Sequence, residues 1–209
     1  MSVEIEPCSE PERWDSLVER NADTTPFHRH AALETYAEHT DTALHALVGY
    51  KGQEPIGLFP LFELTIGPFS AAFSPPPRRK VSYLGPAVDT HPDATRRKRE
   101  RTHRRFVERV VGYVDSEIDP RYVNVRTPPT YDDPRPLVWQ GFDPIPRYTY
   151  HVDLTRSSEA ILADASSDLR SNVRGTDADA FEIAPADPDD VRWILELAQA
   201  RHDEQDVSY

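Results

Sequence analysis

The sequence has a single cysteine, Cys8, among its 209 residues. One cysteine excludes a disulfide framework and a metal site built from cysteine ligands. The chain also lacks any run of about 18 consecutive apolar residues, so we expect no membrane-spanning helix. Its first residues contain neither a basic region nor an apolar core, and we therefore expect no signal peptide and a cytoplasmic location.

Lysine is nearly absent as well and occurs only at Lys51, Lys80 and Lys98. Arginine therefore supplies most of the 24 basic residues, against 36 acidic residues and a net charge of −12. An acidic, Asp-rich and Lys-poor composition resembles that of proteins from salt-accumulating halophiles, where concentrated salt screens the repulsion between carboxylates. We expect a halophilic origin, and in that setting the acidity does not indicate a basic ligand.

Several motifs of known chemistry are missing from the sequence. There is no Gly-x-Ser-x-Gly nucleophile elbow and no Gly-x-x-x-x-Gly-Lys-Ser/Thr phosphate loop. His28, His30, His39 and His45 have no carboxylate at a spacing that would complete a zinc site, so no metal is expected.

Hydrophobic periodicity predicts alternating strands and helices in residues 1–154, which we assign to a first unit. Strands are expected at 3–6, 44–50, 56–66, 81–84, Tyr122–Val125 and 148–154. Helices are expected at 11–21, 28–39 and 93–118 and around Trp139, while residues 67–77 are expected to be irregular.

Residues 155–209 form a second, shorter region in this assignment. We expect a helix from 157 towards 174, a strand at 181–183 and a last helix that begins at Pro188. This strand and proline-opened helix repeat the beginning of the first unit. A strand and a helix alone cannot bury their apolar faces, so this region needs further contacts.

The expected order β–α–α–β–β–β–α–β–α–β over residues 3–154 resembles that of the GNAT acyltransferase fold. Four segments further resemble the Fem-type (FemAB-like) branch of tandem-GNAT transferases: Asn21-Ala22-Asp23-Thr24-Thr25-Pro26-Phe27-His28, Gly57-Leu58-Phe59-Pro60-Leu61, Tyr83-Leu84-Gly85-Pro86 and Asp168-Leu169-Arg170-Ser171-Asn172-Val173-Arg174. The resemblance implies an α/β (α+β) fold, with a GNAT-like mixed central sheet flanked by helices and the truncated beginning of a second GNAT-like unit.

The resemblance implies an N-acyltransferase that moves an acyl group from acyl-CoA to an amine of a small molecule, a sugar nucleotide or a cell-surface precursor. A homodimer, a partner chain or further residues would complete the second unit. Two alternatives stay open: a non-catalytic GNAT-like binding module and an aminoacyl-tRNA-dependent transferase. A nucleic-acid partner is disfavoured, because concentrated salt weakens phosphate contacts.

The loop at residues 85–93 departs from the family's donor-binding pattern, Arg/Gln-x-x-Gly-x-Gly/Ala. Pro86 and Pro92 have no amide hydrogen to offer a phosphate, and Asp89 and Asp93 repel one. We therefore expect that this loop does not bind CoA. The basic run at 96–105 could hold phosphates, but we interpret it as solvated helix surface, which is the commoner role of a charge run.

A proline-stiffened loop at residues 126–136 carries three candidate substrate-binding residues, Arg126, Asp132 and Arg135. An arginine fork there could bind a carboxylate or phosphate of an anionic or sugar-like acceptor. An internal Arg–Asp pair, with Trp139 in the core, is an equal alternative.

Four further candidates for substrate binding lie elsewhere in the chain. Tyr148 shares a strand face with Tyr150, and core packing is the alternative role for both. The resemblance adds Arg170 and Arg174, which lie on one face of a helix, and His28, in a loop that would border the cleft. No catalytic residue is assigned from the sequence.

Overall fold

The computed structural model describes residues 2–77, 81–89, 93–177, 180, 182 and 184–204, except for the side chains of 202 and 204. The chain divides into two compact units, Met1–Thr149 and Tyr150–Tyr209. Within the described residues, no helix has both the length and the apolar character that crossing a membrane requires.

A six-stranded mixed sheet organises the first unit. Its strands are β1 (Glu4–Pro7), β2 (Ala43–Lys51), β3 (Glu54–Ile66), β4 (Phe69–Ser74), β5 (Ala87–Val88) and β6 (Tyr122–Val125). The strands β1 to β4 are neighbours in antiparallel order, β5 pairs with β3, and β6 lies parallel to β4 at the edge. The central strands β2 and β3 carry continuous apolar stretches because both faces of the sheet are covered.

Helices cover the two faces of this sheet. The first unit contains α1 (Pro11–Arg20), a 3₁₀ turn (Pro26–His28), α2 (His30–Thr40), α3 (Arg96–Glu117) and α4 (Arg135–Val138). One core joins α1 and α2 to the sheet through Trp14, Val18, Leu33, Val48, Leu58 and Phe62. The other core joins α3 to the opposite face through Phe106, Val107, Val110, Leu47, Phe59 and Leu61. A mixed sheet flanked by helices confirms the expected fold class. Four strands, β2 to β5, lie between α2 and α3 in the chain, where three were expected.

The second unit contains α5 (Ser158–Asp164), α6 (Ser167–Gly175) and α7 (Pro188–Glu204). The last helix begins at Pro188, as expected from the sequence. Four of its apolar side chains are more than half exposed: Trp193, Ile194, Leu195 and Leu197.

The position of α3 on the sheet depends on two glycines. Phe106 of α3 is fully buried. A Cβ atom added to Gly49 would lie 2.4 Å from Cδ2 of Phe106, and one added to Gly57 would lie 2.9 Å from its Cε2. The phenyl ring therefore lies directly against the backbone of β2 and β3, in space that only glycine leaves open.

Two expectations for the segment between β3 and α3 are wrong. Residues 67–77 were expected to be irregular, yet they contain β4, because Gly67 takes a φ of +58° and returns the chain along β3. Residues 81–84 form no strand. The backbone N–H of Leu84 donates to the Arg126 carbonyl oxygen at 2.8 Å, and the chain joins the sheet only at β5.

Expectations beyond residue 147 also needed correction. Residues 148–154 form no strand, and Tyr148 and Tyr150 are 94% and 100% exposed, because alternation alone does not supply a neighbouring strand. The helix expected at 157–174 is interrupted, since the Ser166 side chain accepts from the Leu169 N–H and starts α6. The strand expected at 181–183 falls mostly outside the described residues.

We expect Gly49→Ala to lower the free energy of unfolding by about 1–3 kcal/mol, because the added methyl group displaces the buried Phe106 ring. Gly112→Ala is the matched control. Gly112 lies on the exposed side of α3 with no atom within 4 Å of its added Cβ, so this change should raise stability by about 0.5–1 kcal/mol. Urea unfolding of both variants checks the difference, and equal effects would contradict the described packing of α3.

Candidate functional site

A cavity of about 450 Å³ lies beside the N-terminal turns of α3. Four segments that are distant in sequence form it: the loop after α1, β5, the start of α3, and the proline-rich loop that leads into α4. Its lining residues are Asp23, Val88, Arg96, Arg99, Glu100, His103, Thr130, Tyr131, Asp132, Asp133 and Arg135. We call this the α3 cavity.

Ion pairs tie the proline-rich loop to α3. The Arg135 guanidinium donates to both carboxylate oxygens of Asp133, at 2.7 and 2.8 Å, and to Glu100 at 3.2 Å. Arg96 donates to the same Glu100 oxygen at 3.0 Å. Hydrogen bonds from Arg135 lower the pKa of Asp133, and those from Arg96 and then Arg135 lower that of Glu100. The pair between Arg135 and Asp133 is the internal pair that the sequence left open. The other part of that alternative is wrong, because Trp139 is 57% exposed and not in the core.

A histidine–tyrosine pair forms a second link between the same elements. Nε2 of His103 lies 2.8 Å from the hydroxyl oxygen of Tyr131, and the two rings meet edge to face at 5.0 Å. Burial lowers the pKa of His103 and raises that of Tyr131. Both side chains are therefore mainly uncharged at neutral pH, and they extend the wall of the cavity without adding charge.

The acidic part of the cavity contains Asp23 and Asp132. Burial raises the pKa of Asp23, and the negative charges of Asp132 and Asp89 raise it further. No ion pair to these three carboxylates arises from the part of the chain that the structure describes. The arrangement therefore favours a positively charged group, which would relieve the repulsion.

His28 lies in the core and not in the cavity lining. Its Nδ1 accepts from the Thr25 backbone N–H at 3.1 Å, which places the proton on Nε2, and Nε2 donates to the Gly85 carbonyl oxygen at 3.3 Å. The His28 carbonyl oxygen accepts from Nε1 of Trp14 at 2.6 Å. Burial lowers the pKa of His28 to about 4. The residue thus joins the start of α2 to the Gly85 loop.

The described part of the loop at 85–93 does not fit the pyrophosphate of CoA. The Gly85 N–H donates to Oγ of Ser74 at 3.0 Å, β5 pairs with β3, and the Asp89 N–H donates to the Ile56 carbonyl oxygen at 3.0 Å. A phosphate cradle needs unpaired backbone N–H groups. These amides are already used to attach the loop to the sheet.

The remaining sequence candidates are not among the lining residues of the α3 cavity. The Arg126 backbone N–H donates to the Ser74 carbonyl oxygen, while its exposed side chain is not part of the lining. Tyr148 is exposed beyond the last strand of the sheet. In the second unit, Arg170 donates to the carbonyl oxygens of Ala163 and Ala165 at 3.1 and 2.7 Å and caps the end of α5.

Arg174 lies in the last turn of α6, in the second unit. Among the seven sequence candidates, Asp132 and Arg135 line the cavity. The structure adds residues that sequence reasoning did not select as site residues, namely Asp23, Arg96, Arg99, Glu100, His103, Tyr131 and Asp133. One feature of the sequence could have indicated the site: the first turn of α3 contains arginines and no acid, against the usual preference of a helix N-terminus.

Within the described residues, no group of three or more His, Cys, Asp or Glu side chains is placed to hold a metal ion.

Comparisons with known proteins give little further information. No family model matches the chain, and no curated protein matches it. Among solved structures, it is similar to the crystal structure of a ribosomal-protein-alanine N-acetyltransferase from Brucella melitensis biovar Abortus 2308. The match covers 74% of this chain and 100% of the other, with 16% identity and a TM-score of 0.40.

We expect the neutral, buried His28 to make the fold acid-sensitive. In the unfolded chain this residue binds a proton near its ordinary pKa of 6.5, whereas in the fold its pKa is about 4. Stability is therefore fully present above pH 6.5 and is lost as the pH falls from 6.5 to 4, by about 3 kcal/mol.

Urea unfolding between pH 4 and 8 tests this expectation. His28→Gln should be less stable at pH 8 and should show a smaller loss towards pH 4. His151→Gln, at an exposed position, is the control and should follow the parent protein. An unchanged pH profile in His28→Gln would contradict the assignment.

Proposed function

We propose that this chain contains the acceptor-binding unit of a Fem-like GNAT N-acyltransferase, and that the α3 cavity receives the amine that is acylated. The observation that carries the proposal is the position of Asp23. Its carboxyl group lines the cavity next to Asp132, has a raised pKa and has no cationic partner among the described residues. The acyltransferase class comes from the resemblance of the fold and segments, and the cavity supplies a place for the amine.

Asp23 is suited to two tasks in such a reaction. An amine is protonated at neutral pH, and its nitrogen must lose a proton before it can attack an acyl carbon. The ionised Asp23 carboxylate attracts the ammonium group, with Asp132 adding to the negative potential. Because the pKa of Asp23 is raised, its carboxylate is also a better proton acceptor than an ordinary aspartate.

We propose acyl-CoA as the donor, on the resemblance alone. Its pyrophosphate does not fit the described part of the loop at 85–93, where the N–H groups of Gly85 and Asp89 are already bonded. The proposal therefore assigns donor binding to residues outside this part of the loop. For this chain, the residues of the α3 cavity bind and orient the acceptor, and no step at the donor is assigned to them.

A second candidate function is a non-catalytic binding module. The loop at 85–93 favours the binding module. Its N–H groups at Gly85 and Asp89 bond to the sheet of the same unit and are not free to bind an acyl donor, as expected of a unit that binds a ligand without transferring an acyl group. Both candidates predict that the α3 cavity binds an amine. They differ only in whether the bound amine becomes acylated.

We expect Asp23→Asn to weaken the binding of glucosamine, a primary amine, by about tenfold or more, because a charge-assisted hydrogen bond is lost. Binding to the parent protein should also weaken as the pH falls through the raised pKa of Asp23. Calorimetric titration measures both effects. Asp115→Asn is the matched control, since Asp115 is exposed on α3 and does not line the cavity.

Release of CoA thiol from acetyl-CoA in the presence of glucosamine separates the two candidates. Release that depends on the amine and on Asp23 supports the transferase. Amine binding without thiol release supports the binding module. If the folded parent protein binds no amine, or if Asp23→Asn and Asp115→Asn behave alike, the assignment of the cavity as an amine site is wrong.

A further inference from the structure

We infer that the acceptor of the α3 cavity carries an anionic group in addition to its amine, and that Arg99 binds that anionic group. The inference rests on the proposed function, because it assumes that Asp23 and Asp132 receive the amine. It adds the substrate class: a zwitterionic molecule with an ammonium group and a carboxylate or phosphate. The paired and unpaired charges of the cavity support this assignment.

Four charged side chains of the cavity neutralise one another. Arg135 pairs with Asp133 at 2.7 Å and with Glu100 at 3.2 Å, and Arg96 pairs with Glu100 at 3.0 Å. The charges of two guanidinium groups and two carboxylates therefore cancel. They hold the loop against α3, and the charge they contribute to a bound molecule is small.

Arg99 remains outside this balanced group. Its Nη1 donates to the Ala94 carbonyl oxygen at 2.8 Å, which fixes the guanidinium without neutralising it. Within the described residues, no carboxylate lies in ion-pair distance of Arg99. Among the described residues, the same cavity therefore presents one cation without an ion-pair partner, Arg99, and two such anions, Asp23 and Asp132.

The start of α3 strengthens the positive character around Arg99. The helix extends for 22 residues, its first turn contains no acid, and the Thr95 side chain caps it by accepting from the Lys98 N–H. The positive end of the helix dipole therefore adds to the guanidinium charge instead of being offset by an acidic residue. An anion next to Arg99 is therefore stabilised by both the guanidinium charge and the helix dipole.

The size of the cavity limits the ligand to a small molecule or to one end of a larger molecule. A volume of about 450 Å³ lies in the lower half of the usual range for small-molecule sites, roughly 300–1,000 Å³. A zwitterion places its ammonium group at Asp23 and Asp132 and its anionic group at Arg99. An amino acid and an amino-sugar phosphate share this chemistry.

Calorimetric titrations test the inference with analogues that lack either the ammonium or the anionic group. They also distinguish an amino acid from an amino-sugar phosphate as the ligand. The zwitterion of the first set is glucosamine 6-phosphate. Its analogues are glucosamine, which lacks the phosphate, and N-acetylglucosamine 6-phosphate, which lacks the ammonium group. The second set is L-alanine and L-alaninamide, which lacks the carboxylate. We expect the zwitterion of one set to bind about tenfold or more tightly than its analogues, and the set that does so identifies the anion as phosphate or carboxylate.

Arg99→Gln and Arg101→Gln form a matched pair of variants on α3, because Arg101 is exposed and does not line the cavity. We expect Arg99→Gln to remove the advantage of the zwitterion over the amine-only analogue, while Arg101→Gln retains it. Thermal unfolding verifies that both variants fold like the parent protein.

The outcomes distinguish this inference from the proposed function. If glucosamine and L-alaninamide bind as tightly as the zwitterions and depend on Asp23, the amine site stands and the inference about Arg99 is wrong. Equal losses in Arg99→Gln and Arg101→Gln would likewise overturn it, since the attraction would then be a general effect of the basic helix. If no amine-containing probe binds, both the inference and the proposed function are overturned.

Discussion

The contact of Phe106 with the backbone of β2 and β3 determines where α3 lies on the sheet. The ring occupies space that exists only because positions 49 and 57 are glycines, so the helix approaches the strands closely at this point. One face of α3 is thereby fixed towards the sheet. The side chains one to three turns earlier, Arg96, Arg99 and His103, are then directed to the rim of the sheet, where the proline-rich loop meets the helix.

The loop contributes its part of the cavity through charge pairing. The fork between Arg135 and Asp133, the shared Glu100 and the hydrogen bond between His103 and Tyr131 each join the loop to α3 or stiffen it. These contacts use up most of the charge at the site. The few groups left without a counter-charge, rather than the total number of charged residues, therefore determine which ligand chemistry fits the cavity.

Much of the fold follows from local pattern, whereas the site follows from tertiary contacts. The long hairpin and α3 were predictable because their apolar residues recur with strand and helix periods over many residues. The strand β4 was not predicted because the small residues between its two phenylalanines give only a weak hydrophobic alternation. The alternation of the tyrosines at 148 and 150 predicted a strand wrongly, because a strand forms only where a neighbouring strand can pair with it. Asp132 and Arg135 could be named from the loop composition. Selecting Arg99 required knowing which face of α3 Phe106 turns inward.

Backbone amide NMR shifts of the full chain, followed during separate titrations with glucosamine 6-phosphate and with L-alanine, locate the acceptor site directly. We expect the perturbed amides to be confined to the loop after α1, β5, the first turns of α3 and residues 130–135, the four segments that form the α3 cavity. Saturable shifts in another part of the folded chain, or no shifts at all, would contradict the assignment of this cavity as the acceptor site.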